Sequence, residues 1–265
     1  MKVAVVVIAS KNYDSFLANW KSMIVPENMK VVYVFGSNPP FAETITEKLA
    51  HIGSMNSMGQ MATSIEEFQR TIKMISVQRD ATQLSKSTGS ITIDGDELWV
   101  DCEESLSPGI HLKTVAAFKH LLQEDFDIFV RPNLSSFFDL DRLYEWLLDK
   151  PRTNASFGWL ISDIFLSGCG YALTRDVVEG FVNASLDASH IVNEPDDIVL
   201  HAYLSSHAIP RYCWDMDAAD DMYEKNMLES PHFHLRFKTE DRERDAVEQR
   251  RVIVKRLKLR TDTSL

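Results

Sequence analysis

Cysteines are few in this sequence and form no motif. The 265 residues contain three cysteines, Cys102, Cys169 and Cys213, and no two of them are spaced as a CxxC pair. This spacing excludes a zinc knuckle and a thioredoxin-like redox motif. We therefore predict neutral, buried thiols in a reducing compartment, and with them a cytoplasmic protein.

Glycine and proline are also scarce. The chain has 10 glycines and 9 prolines, too few for a collagen-like or low-complexity sequence. It has 14 phenylalanines, 7 tyrosines and 5 tryptophans, which need a core or a ligand to cover them and so exclude a disordered chain. We expect an ordinary globular fold.

Positive charge is in deficit and long apolar runs are absent. Lys and Arg number 28 against 39 Asp and Glu, a net charge of −11, which disfavours non-specific nucleic-acid binding but leaves room for a local basic patch. The apolar run Val3–Ala9 is about a third of a membrane span. No small-residue cleavage site follows it, so we expect neither a signal peptide nor a transmembrane segment.

The order of predicted elements indicates an α/β fold. Val3–Ala9 is apolar on both faces, which is typical of a central parallel strand. A helix over 15–23 and a second strand over 30–35 complete a β–α–β unit. We predict one domain over 1–265 with a mixed, mostly parallel sheet flanked by helices. Further strands are predicted over 97–101, 127–131, 156–161 and 170–173, further helices after a Ser107 N-cap and over 139–149, 176–184, 196–206 and 239–259, and irregular structure over 51–95.

Two stretches carry residues that chemistry could use. Gly168 and Gly170 flank Cys169, which lets a ligand approach the backbone closely but also suits a strand bulge. Asp196 and Asp197 follow Pro195, where carboxylates stabilise a helix start. The functional alternative is that one of these carboxylates serves as a general base.

These stretches and three others resemble the fringe and β1,3-galactosyltransferase group. The similar segments occur in the family's order, namely 109–114, 127–131, 133–137, 167–176 and 194–198. The resemblance implies a GT-A fold, the Rossmann-like fold of nucleotide-sugar enzymes. It also implies inverting transfer of a sugar, galactose by default, from a UDP-sugar to a hydroxyl of a glycan or glycoprotein acceptor.

The resemblance assigns residues to roles. Asp197 would be the base, with Asp196 as its competitor, and Gly168, Cys169, Gly170 and Tyr171 would line the sugar and acceptor cleft. The end of the first strand, with Ala9, Ser10 and Asn12, would border the nucleotide, because ligands of α/β proteins bind at the carboxyl ends of strands.

The sequence departs from the family at the metal motif. Where members have an acidic triplet that holds Mn²⁺ or Mg²⁺, this chain has Asn133, Leu134 and Ser135, which lack the charge that hard cations prefer. Either the diphosphate holds the metal largely by itself, or Lys113 and Arg131 replace the metal as counter-charges.

The segment from His232 to Lys238 is a second candidate for metal or diphosphate binding. An extended conformation would place His232 and His234 on one face, as metal ligands or diphosphate contacts, although structural histidines explain them equally well. Arg236 and Lys238 would suit a diphosphate.

Other functions stay open at this point. The charged segment 239–259 is either a solvated amphipathic helix or a surface for an anionic membrane or a neighbouring domain of a longer polypeptide. Loss of the acidic triplet also suits a catalytically silent GT-A-like glycan-binding or scaffold module. A nucleotidyltransferase would share the α/β opening, but the segment from Ser10 to Tyr13 is a poor phosphate loop.

Overall fold

The computed structural model describes residues 1–38, 87–186, 188–218, 227 and 230–263, without the side chains of 189, 190 and 257–263. Most of the predicted irregular stretch, 51–86, lies outside these residues. The strands are β1 (Val3–Ile8), β2 (Met29–Asn38), β3 (Ile91–Asp94), β4 (Glu97–Glu103), β5 (Ile128–Pro132), β6 (Ser136–Phe138), β7 (Ser156–Ile161), β8 (Phe165–Thr174), β9 (Arg211–Cys213), β10 (Met216–Ala218) and β11 (His234–Arg236). The helices are α1 (Asp14–Lys21), α2 (Gly109–Leu121), α3 (Leu140–Leu148), α4 (Arg175–Asn183), α5 (Ala188–Asn193), α6 (Asp196–Ser206) and α7 (Arg242–Thr263).

The described strands form one large mixed sheet and one small sheet. The large sheet has the order β3-β4-β2-β1-β5-β8-β7-β9. β2 and β5 flank β1 in parallel and β4 is parallel to β2, so the carboxyl ends of these four strands meet at one edge. β8 runs antiparallel to β5. This arrangement confirms the predicted α/β class with a mixed, mostly parallel sheet.

The alternation of side chains along β1 builds two cores. Val3, Val5 and Val7 face the side covered by α1, α3 and α7. Ala4, Val6 and Ile8 face the opposite side, which is covered by α2, α4 and α6. Burial on both faces explains why this strand is apolar at every position.

The small sheet lies beside the end of β5. Its order is β10-β11-β6, with β11 antiparallel to β6 and parallel to β10. A turn over 133–135 joins β5 to β6, and the Ser136 N–H donates to the Asn133 carbonyl at 3.0 Å. The turn therefore connects the edge of the large sheet to the small one.

Several local predictions are wrong in detail. Residues 91–94, expected to be irregular, form β3 because they pair antiparallel with β4. Ser107 is not the N-cap of α2; Pro108 holds that position, and the Ser107 hydroxyl donates to the Glu194 carbonyl at 2.8 Å. Cys102 and Cys169 are buried as predicted, but Cys213 is exposed.

In the portions of the chain given above, no helix is both long enough and apolar enough to cross a membrane.

Candidate active site

The carboxyl edge of β1 and β5 is the centre of the candidate site. Ile8 and Asn133 form a bridge where the two strands end, so Ala9 and Ser10 lie beside the turn that carries Asn133 and Ser135. The Ser10 hydroxyl accepts a hydrogen bond from the Asn12 N–H at 3.4 Å and caps a short 3₁₀ helix. Ala9 is buried, whereas Asn12 is exposed.

The two carboxylates at the start of α6 have different partners. Asp196 Oδ2 lies 2.7 Å from Arg131 Nη2, in a pair that is almost wholly buried. The contact has the distance of an ion pair but not the angles of a hydrogen bond, and Asp196 Oδ2 has no hydrogen-bond donor. Asp197 instead accepts from the N–H groups of Gly168 at 2.9 Å and Ile198 at 3.1 Å. Asp196 therefore holds Arg131, while Asp197 forms no ion pair with any residue that the structure describes.

The electrostatic environment distinguishes the two acids. Burial, and then the negative charge of Asp196, raises the pKa of Asp197 from 3.8 to about 6. Burial also raises the pKa of Asp196, but the Arg131 guanidinium opposes that shift. Asp197 is thus the better proton acceptor near neutral pH, because a base is most effective when its pKa lies near the working pH.

The glycines of β8 leave room for neighbouring side chains. A Cβ on Gly168 would lie 3.1 Å from Asp197 Oδ2, and a Cβ on Gly170 would lie 2.5 Å from Phe138 Cζ. Cys169 and Tyr171, which were expected to line a cleft, are buried. The Cys169 thiol lies 3.5 Å from the Met216 sulfur.

Two predicted counter-charges already have partners. The Arg131 guanidinium also donates to the Gly168 carbonyl, and its central carbon lies 5.4 Å from the centre of the Tyr171 ring. The Lys113 ammonium pairs with the Glu104 carboxylate and donates to the Ala9 carbonyl at 2.9 Å. Both side chains are at most 1% exposed, so they brace the site from inside.

Arg236 and Lys238 have no carboxylate partner among the described residues. Arg236 donates to the hydroxyls of Ser135 at 2.6 Å and Ser136 at 3.1 Å. Lys238 is partly buried and makes no hydrogen bond or ion pair with another residue in the described part of the chain. Burial, followed by the charges of Arg236 and Arg242, lowers the pKa of Lys238 to about 8. Burial also lowers the pKa of Arg236 to about 10.

The two histidines have different surroundings. His234 is fully buried, stacks on Phe138 and accepts at Nδ1 from the Trp214 indole at 3.1 Å. His232 lies outside β11, is partly exposed and is about 3.9 Å from the carboxylates of Asp215 and Asp217. The extended strand that was expected over both histidines begins only at His234.

The residues present do not fit a protein-held divalent cation at the end of β5. That position offers the Arg131 cation and the neutral side chains of Asn133 and Ser135, and hard cations prefer anionic oxygen. Asp196 and Asp197 are engaged as described above. No group of three His, Cys, Asp or Glu side chains within the described ranges is arranged to hold a metal.

Most of the predicted site residues converge, and others were missed. The Asn133 N–H and the Ser136 hydroxyl both donate to the Cys169 carbonyl, at 3.2 and 2.7 Å, which joins the turn to β8. The missed residues are Glu104, which pairs with Lys113, and Arg242, which lies 5.6 Å from the Tyr13 ring. A signal for Glu104 was available, because it directly follows a strand that ends at the same edge.

No protein-family model matches this chain, and no curated protein sequence matches it. Solved structures do match. The glycosyltransferase GlyE of Streptococcus pneumoniae superposes with a TM-score of 0.45 and 12% identity over 98% of this chain and 64% of its own. This chain therefore spans less than two thirds of the length of that protein.

Two further matches differ in activity from each other. The galactosyltransferase LgtC has a TM-score of 0.44 and 9% identity, over 93% of this chain and 95% of its own. A cytidylyltransferase of Leptospira borgpetersenii has a TM-score of 0.38 and 12% identity, over 81% and 76%. Glycosyltransferases are thus among the structures this chain resembles, but scores and identities this low assign no activity, and the function is argued from the site.

Proposed function

We propose that this chain is an inverting glycosyltransferase that uses a nucleotide sugar, with Asp197 as the catalytic base. The observation that carries the proposal is the position and environment of Asp197. Its carboxylate lies beside Gly168, close to the carboxyl edge where ligands of α/β sheets bind, and its pKa is raised to about 6. The sequence resemblance to the fringe and β1,3-galactosyltransferase group supports the same reaction.

The proposed reaction is a single displacement. Asp197 takes the proton from an acceptor hydroxyl as that oxygen forms a bond to the anomeric carbon of the donor sugar. The bond from that carbon to the diphosphate oxygen breaks, and its electron pair leaves with the nucleoside diphosphate. Asp196 and Arg131 are positioning residues here, because their ion pair fixes the first turn of α6 and β5 relative to each other.

The finer assignment follows the resemblance alone. We propose a UDP-sugar as donor, with galactose as the default sugar, and a hydroxyl of a glycan or glycoprotein as acceptor. Ala9, Ser10, Asn12, Asn133 and Ser135 would border the nucleotide.

The test is a donor-hydrolysis and transfer assay with a panel of nucleotide sugars. The wild-type protein should release nucleoside diphosphate slowly from a UDP-sugar, and faster when a suitable glycan is added. Asp197→Asn keeps the shape of the side chain but removes the proton acceptor. It should lower kcat on the order of 10²–10⁴-fold while the melting temperature changes little.

Asp196→Asn is the matched control. It leaves a fully buried guanidinium without its ion partner, so it should lower the free energy of unfolding by about 3 kcal/mol, whereas Asp197→Asn should not. Near-normal transfer by Asp197→Asn, in a protein that does transfer sugar, would show that another group is the base.

A glycan-binding module without turnover is the alternative. Both carboxylates already have partners inside the protein, as they would if they only stabilised the start of a helix. This observation favours the alternative. Glycan binding without nucleotide release from any donor would establish that alternative.

A further inference from the structure

We propose that Arg236 and Lys238 bind the diphosphate of the donor directly, so that donor binding by this chain needs no divalent cation. The inference rests on the proposed function for the identity of the ligand. It assigns to two side chains the positive charge that a metal ion, held by an acidic motif, would otherwise supply.

The position follows from the hydrogen bonds around the turn that joins β5 to β6. Arg236 pairs with Ser136 in the small sheet and donates to the hydroxyls of Ser135 and Ser136. The Phe237 N–H donates to the Ser135 carbonyl at 2.8 Å, and its ring is fully buried. Arg236, the last residue of β11, is therefore held against the turn, and Lys238 follows two residues later; Arg236 is 7% exposed and Lys238 is partly buried.

The turn itself adjoins the proposed base. The Ser136 hydroxyl and the Asn133 N–H both donate to the Cys169 carbonyl, and the preceding Gly168 donates to Asp197. The negative charge of Asp197 also acts on Lys238, which places the two groups in one electrostatic environment. A diphosphate held by Arg236 and Lys238 would therefore lie on the same side of the sheet edge as the base.

The charge of the pair is not balanced by the protein. Arg131, Lys113 and Arg242 are paired with Asp196, Glu104 and Asp245 respectively. Among the described residues, neither Arg236 nor Lys238 forms an ion pair with a carboxylate, and the charge of Arg236 lowers the pKa of Lys238. Cations gathered without a counter-ion are unfavourable in the free protein, and an anionic ligand removes that penalty when it binds.

Arg242 stabilises the segment that carries Lys238. Arg242 pairs with Asp245 and donates to the Phe237 carbonyl at 2.8 Å, and Asp245 accepts from the Thr239 N–H at 2.9 Å. These contacts fix the chain on both sides of Lys238 before any ligand binds. A site that is already ordered loses less entropy on binding.

The test measures binding of UDP and of inorganic pyrophosphate by calorimetry, in EDTA and in Mn²⁺. We expect both ligands to bind in EDTA, with affinities that change little when Mn²⁺ replaces it. Lys238→Met should weaken binding of both on the order of 10–100-fold, because it removes a charged hydrogen-bond donor. Its melting temperature without ligand should be equal to or above that of the wild type, because an unbalanced cation has been removed.

Two further variants make the result specific. Lys255→Met removes an exposed cation on α7 and should leave both affinities unchanged. Arg236→Lys keeps the charge but replaces the guanidinium, whose Nη1 donates to both serine hydroxyls, by a single ammonium, and it should weaken pyrophosphate binding less than Lys238→Met does. Binding that requires Mn²⁺, equal affinities for Lys238→Met and wild type, or no binding of either ligand would each overturn the proposal. Tight pyrophosphate binding in EDTA without sugar transfer from any donor would refute the proposed function but not this site.

Discussion

At the scale of single residues, the two neighbouring aspartates act differently because of what lies next to each. The Arg131 guanidinium lies 2.7 Å from Asp196, and only backbone N–H groups donate to Asp197. Adjacent residues of one helix turn point in different directions, so one carboxylate reaches β5 and the other reaches β8. This difference separates a positioning acid from a candidate base.

The pH dependence of kcat should report the proton on Asp197. A base must be ionised to act, so kcat should rise with pH through about 6 and level off above it. Stability should respond in the opposite sense. The pKa of this acid is raised above its ordinary value of 3.8, so its contribution to stability decreases as pH rises from about 4 to about 6.

The measurement is a pH–rate profile with melting temperatures recorded at each pH. A loss of activity at low pH without a matching loss of stability is the expected outcome. A profile that is flat through this range would argue against Asp197 as the base.

The glycines of β8 give a second residue-scale prediction. Gly168→Ala should disturb the Asp197 carboxylate, whose Oδ2 would lie 3.1 Å from the new methyl group, and lower kcat more than stability. Gly170→Ala would force its methyl group to within 2.5 Å of the Phe138 ring and should destabilise the protein by about 1–3 kcal/mol. Urea unfolding and kcat measurements on both variants test this prediction. It would be contradicted if the two variants lowered kcat equally and lowered the free energy of unfolding equally.

At the scale of elements, α7 determines the shape of the turn between β5 and β6. Gln249 is fully buried and donates to the carbonyls of Leu134 at 2.9 Å and Ser136 at 3.2 Å. Asn19 of α1 donates to Gln249 Oε1 at 3.1 Å, which fixes the orientation of the amide. The Trp20 indole donates to the same Leu134 carbonyl at 2.9 Å. Two helices therefore hold the turn through hydrogen bonds to its carbonyl groups.

Gln249→Leu should cost stability and donor affinity together. It leaves the Ser136 carbonyl without the buried Gln249 donor and removes one of the two hydrogen bonds that the Asn19 amide donates, the other going to the Ala246 carbonyl, so the free energy of unfolding should fall by about 1–3 kcal/mol. KM for the donor should rise because the turn carrying Asn133 and Ser135 loses its support. Arg250→Ala, an exposed position on the next residue, should change neither quantity. A Gln249→Leu protein with normal stability and KM would show that the packing of α1 suffices.

At the scale of the whole molecule, the chain is acidic, with a net charge of −11. At the candidate site Arg131 and Arg242 are paired with Asp196 and Asp245, whereas Arg236 and Lys238 have no carboxylate partner among the described residues. Two cations without such a partner, in a protein that is negative overall, attract an anion to that place.

Ligand-induced stabilisation tests the donor class on the intact chain. UDP should raise the melting temperature, because a ligand that binds only the folded protein stabilises it by mass action. GDP and CMP should raise the melting temperature less, if the protein recognises the nucleobase of UDP as the sequence resemblance implies. A larger shift with GDP than with UDP would contradict the UDP assignment and leave the diphosphate site intact.

Local sequence patterns determined the fold class and many element positions. Val3–Ile8 is apolar at each position because both of its faces are buried, and α6 occupies 196–206 as its acidic first turn indicates. The same patterns singled out Asp196, Asp197 and the glycines around Cys169. Hydrophobic periodicity and helix-start chemistry are local properties, so one sequence suffices to read them.

Only the tertiary structure decided which charges meet. Arg131 reaches Asp196 across 65 positions of sequence, Lys113 is paired with Glu104, and of the two histidines only His234 is buried. The pairing of charges depends on strand order and on the packing of helices against the sheet, which alternating or helical periodicity does not encode. For that reason the sequence could only suggest which cations bind a diphosphate. The fold shows that Lys113 and Arg131 are already paired with carboxylates, and that Arg236 and Lys238 have no such partner among the described residues.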